Sequence, residues 1–421
     1  MFNNIILSVL LLIIVNNCSS QYFIGNNHFR DLKQVFSWKQ MGYDVDGVRY
    51  TKDSPREKKP DSIVFEEEVN EEDQFFSQYN NVPIGFEVYE NRAFVTVPRR
   101  RFGIISTLNY VELNSSSSSP LLKPYPSSEN ISSLVSVYRP RVDVCGRLWA
   151  VDTGLLEYPK NFMQKQPPKI VVYDLKTNKE IFTYEIPSDV LDNGTTSGLT
   201  SITVDVTPTT CDDAFAYIND LAKNGLIVFS LKQLASWRFS DSSFQYDVGA
   251  TNFSVSGFKL VWKDGIFSIA LSDPNSEGIR TAYYHPLIST QEFSITTDVL
   301  KNKSADFDKH YKLEGVRGAW SQSGSHDFHS STKTLLFANV AQDGIMCWNT
   351  DKELFSKISN LVAQSHKELV YISDLKVRGD DVWVLVNQIP LFIYAKLIPF
   401  VPNFYIFRGK VQDLIQGTSC M

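Results

Sequence analysis

The stretch RLWAVDTG, residues 147–154, sets an apolar run against an Asp-Thr-Gly triplet. Asp152 is either the catalytic acid of an aspartic protease or the polar end of a β-strand. Such a protease needs two carboxylates sharing one proton, presented by two similar loops. Only one such triplet occurs here. The run therefore reads as a strand, the innermost of its sheet, with Asp152 where the chain leaves the apolar region. Cys145, four residues before Trp149, staples its start.

Working outward, five further runs share this composition: RAFVTVP (92–98), AFAYIND (214–220), IFSIALSD (266–273), TLLFANVA (334–341) and DVWVLVNQ (381–388). All alternate apolar with polar or small residues and are rich in the branched and aromatic side chains that suit a pleated surface. Their centres recur every 58 residues or so on average. Each period also offers neighbouring strands, such as KIVVYDL, IFTYEIP, GLIVFSL and GIMCWNT. Room for about four strands per repeat predicts an all-β, six-bladed β-propeller. FYIFRGKV near one end of the chain and VFSWKQM near the other are expected to close the ring in one blade. ELFSKISNLVAQ is the one stretch with a short helical pattern. Residues 51–80, with the acidic run FEEEVNEEDQ, read as a flexible surface segment without the ligand spacing of a calcium loop.

The apolar stretch within residues 1–20 is too short to span a bilayer and reads as a secretory signal, leaving 21–421 as a single propeller domain. That predicts a secreted, extracellular chain with no membrane insertion. Loss of Cys18 leaves Cys145, Cys211, Cys347 and Cys420, two disulfides with three possible pairings. None forms a Cys-x-x-Cys pair. Sequons at Asn114, Asn130, Asn193, Asn252 and Asn302 are expected to carry glycans. The net charge of −6 is spread widely, and PRRRF (98–102) reads as a solvated rim, so nucleic acid is not expected as a partner.

VYRPRVDVCGRLWAVDTGLLEY, PKIVVYDL, SITVDV, CDDAFAYINDLAKNGLIVFSL, MCWNT and the terminal GTSC occur in an order that resembles the major royal jelly protein and Yellow family of insects. The resemblance runs from about residue 80 to 420 and implies a secreted six-bladed propeller. It also implies the pairing Cys145 with Cys211 and Cys347 with Cys420. Salivary relatives hold serotonin and similar amines in the propeller tunnel. The matching positions here are Tyr371 for the aromatic group, Ser373 for the hydroxyl and Asn387 for the amide. Ile389 replaces a phenylalanine, which removes a π-face worth about 0.5 to 2 kcal/mol.

The resulting expectation is an extracellular protein that binds a small aromatic amine or catechol-derived ligand, or acts in cuticle pigmentation, and is not an enzyme. The alternative is a dopachrome-converting tautomerase of melanin synthesis. That reaction needs a positioned base, and none is assigned: none of the six histidines lies in an inner-strand candidate, and His326 and His329 in HDFH read as loop residues without a third metal ligand. A calcium site of Asp152, Asn219, Asp220 and Asn387 is outweighed by the ordinary preference of strand ends for Asp and Asn. No metal or cofactor is expected.

Overall fold

The computed structural model describes residues 31–55, 74–158, 161–192, 196, 198–354 and 361–421. The proposed signal segment, Asn193 and most of the acidic segment lie outside the described residues.

Six four-stranded antiparallel sheets form a propeller. Their first strands are Gly85–Tyr89, Arg141–Val142, Leu199–Asp205, Ile266–Leu271, Ser323–His329 and Ile372–Arg378, in blades one to six. These strands approach one another around the axis, so each is the innermost of its blade. Blade six is completed by Phe404–Lys410 pairing with Leu32–Trp38, the closure expected from the sequence. Residues Leu361–Gln364, the end of the stretch with helical pattern, form the outer strand of blade five.

RLWAVDTG is a second strand, Arg147–Asp152, not an innermost one. The same correction applies to every run used for the count except IFSIALSD. The physical reason lies in packing. Second and third strands are sandwiched between neighbouring blades, so Arg147–Asp152, Phe215–Asp220, Gly225–Ser230, Thr334–Asn339 and Asp381–Val386 are buried at every position. Strands covered on both faces read as near-continuous apolar runs. An outer strand such as Lys179–Glu185 is exposed at five positions and half-buried at two.

Asp152 has no catalytic opening. Its carboxylate accepts the backbone N–H groups of Val135, Ser136 and Gly154 at 2.8, 2.8 and 3.0 Å, clamping the approach to blade two. Cys145 pairs with Cys211 and Cys347 with Cys420, the pairing the resemblance implied. Each bridge joins neighbouring blades, two to three and five to six.

Candidate functional site

The inner strands carry polar residues that divide the tunnel into two regions. Along its middle, the charged groups among the described residues are paired. Glu87 takes Arg378 and the N–H groups of Val88 and Val142. Asp327 takes both ends of the Arg141 guanidinium at 2.9 and 3.1 Å. Asp374 lies 3.3 Å from Lys376 and 4.0 Å from Arg139. The Arg141 guanidinium holds Asp327 down to about 2 against the opposing effect of burial.

At the mouth where the inner strands begin, a cavity of about 560 Å³ opens. Ile84, Arg139, Thr200, Phe267 and Ser373 reach it from the starts of inner strands in five blades. Gly85 lets blade one approach blade two there, since a Cβ would stand 2.2 Å from the Tyr138 carbonyl oxygen. The rim comes from three other places: the hairpin Leu155–Tyr158 with Asn161–Gln164, the segment 261–264, and the short helix Ile389–Tyr394. Trp262 packs edge-on against Tyr371 at 5.8 Å and donates its indole N–H to the Tyr394 hydroxyl at 2.8 Å. The Arg139 guanidinium lies over the Phe267 ring at 4.4 Å and spends its donors on the Ser373 carbonyl.

Two buried polar atoms of the lining are left over: Glu157 Oε1 and Thr200 Oγ1 have no hydrogen bond of proper geometry. A buried polar group without a partner is costly, and both atoms belong to residues of the cavity wall. The other Glu157 oxygen stands 3.4 Å from Arg100 Nε. Burial works against the Arg100 charge, but Tyr138, Glu157, Tyr371 and Asp264 around it more than offset that and raise its pKa. Burial, with the Glu157 carboxylate adding to it, holds the Tyr138 phenol well above its ordinary value and therefore protonated. Burial also raises Asp264, with Arg100 opposing.

Of the four residues assigned from the resemblance, Tyr371, Ser373 and Ile389 line this cavity. Asn387 sits behind it, donating to the Pro83 carbonyl at 2.9 Å and accepting the Ile389 N–H at 3.0 Å. Ser373 donates its hydroxyl to the Ile84 carbonyl at 2.6 Å. Tyr371 holds a left-handed backbone, φ 56°, and such strain in a bulky residue persists only where surrounding structure over-determines it. Arg100, Tyr138, Glu157, Thr200 and Asp264 went unassigned in the sequence. The PRRRF motif was the available signal, but its arginines read as a rim. In fact Arg99 donates to five backbone carbonyls, Arg101 lies on the Phe392 ring at 3.9 Å, and Arg100 enters the cavity.

The histidine reading also needs correction. His326 and His329 lie in the inner strand of blade five, and His326 has neighbours of ligand type: the ligand atoms of His285, Glu292 and His326 all lie within 4.8 Å of one another. The buried Arg317 guanidinium binds the same Glu292 carboxylate and supplies a positive charge there. The four imagined calcium ligands do not converge. They end second strands, and Asp220 pairs with Arg238 at 3.0 Å while Asn219 donates to the Phe267 carbonyl.

A sequence profile described as major royal jelly protein matches residues 135–420. Among curated relatives, L-dopachrome tautomerase yellow-f of Drosophila melanogaster is 38% identical over 403 residues, covering 92% of this chain and 94% of the relative. Dopaminechrome tautomerase of the same fly is 33% identical, covering 82% of this chain and 78% of the relative. Protein yellow of Drosophila yakuba is 32% identical, covering 92% and 70%. Two relatives named as tautomerases overturn the expectation that the protein is not an enzyme; the histidine count that supported it ignored carboxylates. The chain belongs to the major royal jelly protein family, which includes the Yellow proteins.

Proposed function

We propose that the protein is an extracellular tautomerase of catechol-derived indoline quinones, with the tunnel-mouth cavity as its active site. The observation that carries this reading is the Glu157 carboxylate, one of whose buried oxygens has no hydrogen bond of proper geometry, in the wall of a cavity it shares with Tyr138, Trp262, Tyr371 and Phe267. The tautomerase names of two relatives support the reaction class. Two disulfides fit an oxidising compartment.

The reaction is an isomerisation. Two protons leave adjacent saturated carbons of the five-membered ring; one C–H electron pair forms the new ring C=C bond, and the other reduces the quinone to a catechol whose oxygens take up two protons. No outside oxidant or reductant is needed. Glu157 is the base for a ring C–H, and the Tyr138 phenol, kept neutral by burial, donates toward a quinone oxygen and is reprotonated by water. General acid–base catalysis of this kind contributes about 10² to 10⁴ in rate. The test follows dopachrome absorbance with purified protein. Many turnovers per chain support the proposal, and decay limited to one equivalent rejects it.

A second reading, binding of an aromatic amine, is favoured by one specific observation. Trp262 supplies the π-face that Ile389 lacks, beside the carboxylates of Glu157 and Asp264. Calorimetry with serotonin and dopamine measures it, and absence of heat at millimolar ligand rejects it.

A further inference from the structure

Arg100 is set apart from the other arginines near the mouth by what its guanidinium does not touch. Arg99 is fully spent on backbone carbonyls, and Arg139 on a carbonyl and a ring face. The Arg100 guanidinium makes one ion pair among the described residues, Nε to Glu157 at 3.4 Å, and its side chain, in the cavity wall, remains 38% exposed. The planar fork of a guanidinium matches a carboxylate with two parallel hydrogen bonds. The guanidinium and the Glu157 carboxylate therefore adjoin in the same cavity wall.

We infer that Arg100 is a specificity-determining residue that selects substrates bearing a carboxylate on the carbon next to the proton removed. This rests on the function proposed above. A carboxylate gripped by Arg100 brings the adjoining C–H within reach of Glu157, while the fused ring lies toward Trp262, Tyr371 and Phe267. Lys263, also in the lining, adds positive charge at the same mouth. An otherwise identical indoline quinone without the carboxylate loses the anchor and leaves the fork unpaired. Sites built to pair a polar group discriminate strongly against analogues that lack it.

The experiment compares kcat/KM for L-dopachrome and for its decarboxylated counterpart, dopaminechrome, in the wild-type chain, Arg100→Gln and Arg100→Lys. The wild type is expected to prefer the carboxylated substrate at least tenfold. Arg100→Gln should reduce that ratio toward one, chiefly through KM, and Arg100→Lys should restore only part of it because a point charge lacks the fork. A wild-type ratio near one, or a ratio unchanged in Arg100→Gln, overturns the inference while leaving the tautomerase reading intact. If neither substrate turns over, the function proposal fails, and calorimetry with the unreactive pair indole-2-carboxylate and indole still decides. At least tenfold tighter binding of the acid, lost in Arg100→Gln, supports the anchor, and equal binding overturns it. Arg100 is half-exposed, and circular dichroism and melting of each variant verify folding.

Discussion

The two disulfides allow a test of how the ring is held closed. Replacing Cys145 and Cys211 by serine opens a loop of 66 residues, and replacing Cys347 and Cys420 opens one of 73. Loop-closure entropy assigns each bridge about 4 kcal/mol, and because the cost grows only with the logarithm of length the two should differ by about 0.1 kcal/mol. Unfolding entropy of roughly 2 cal/mol/K per residue over 421 residues is about 0.9 kcal/mol/K, so each double variant should melt about 5 °C lower. The bridges share no residues and lie in different blade pairs, so the quadruple variant should fall by the sum, about 10 °C. Differential scanning calorimetry of the oxidised variants at one scan rate measures this. If one pair costs nothing while the other costs 10 °C, chain entropy is the wrong account. The structure would then point to the bridge at blades five and six as a lock on the terminal segment behind helix Val411–Ile415.

Glu157→Gln is expected to lower dopachrome turnover by about 100-fold or more with little change in melting temperature, read in a stopped-flow absorbance assay. Ile389→Phe should tighten serotonin binding by about two- to tenfold through the added ring face, measured by calorimetry. Asp152→Ala leaves three buried N–H groups without an acceptor and should cost about 3 kcal/mol or more in urea denaturation, leaving the tunnel-mouth residues in place. Acid should destabilise the fold through His285 and Glu292. Burial presses His285 down to about 3, with Arg317 and His326 adding to the effect and Glu292 opposing it. Glu292 is also held below its ordinary value: burial acts to raise it, and His285 and His326 outweigh that. Both groups bind fewer protons folded than unfolded. Their contribution is therefore complete above about pH 6.5 for His285 and about pH 4.5 for Glu292, and is lost as pH falls below each. The urea midpoint should decline from pH 6.5 downward, and His285→Gln should flatten the upper part of that decline.

Much of the architecture was legible because propeller blades pack on both faces. LWAV, FAYI, LLFA and VWVLV stand out in the sequence since their strands are buried throughout. The same physics hid the true inner strands. GFEVY, SGSHDFH and ISDLKVR carry charged and polar groups along their length, so they do not stand out as strands, and HDFH reads as a loop until its partners from other blades are known. The ring closure was legible because FYIFRGKV and VFSWKQM are both strand-like and lie near opposite ends of the chain; the latter strand itself begins three residues earlier, at Leu32. The disulfide pairing was not, since counting left three choices and only the resemblance selected one. At the site, Tyr371, Ser373 and Ile389 followed from the resemblance, whereas Arg100 and Glu157 did not. Three consecutive arginines carry no local sign of which one turns inward, and Glu157 lies on a rim hairpin whose position depends on the folded ring.

The contrast between the two tunnel regions is the strongest reason to place chemistry at the mouth. In the middle, Glu87, Asp327 and Asp374 come from three blades and meet Arg378, Arg141, Lys376 and Arg139 from blades six and two. Each carboxylate there also accepts backbone N–H groups. A buried ion pair stabilises little relative to apolar packing, yet losing one partner costs about 3 to 5 kcal/mol. Such a network fixes how blades sit against one another and has no capacity left for a ligand. At the mouth the same residue types are present, but Arg100, Glu157 and Thr200 retain unspent donors and acceptors. Charge that is buried and paired holds the ring together; at the mouth a half-exposed guanidinium and a buried carboxylate oxygen stand against an aromatic wall, where a small polar substrate repays its desolvation.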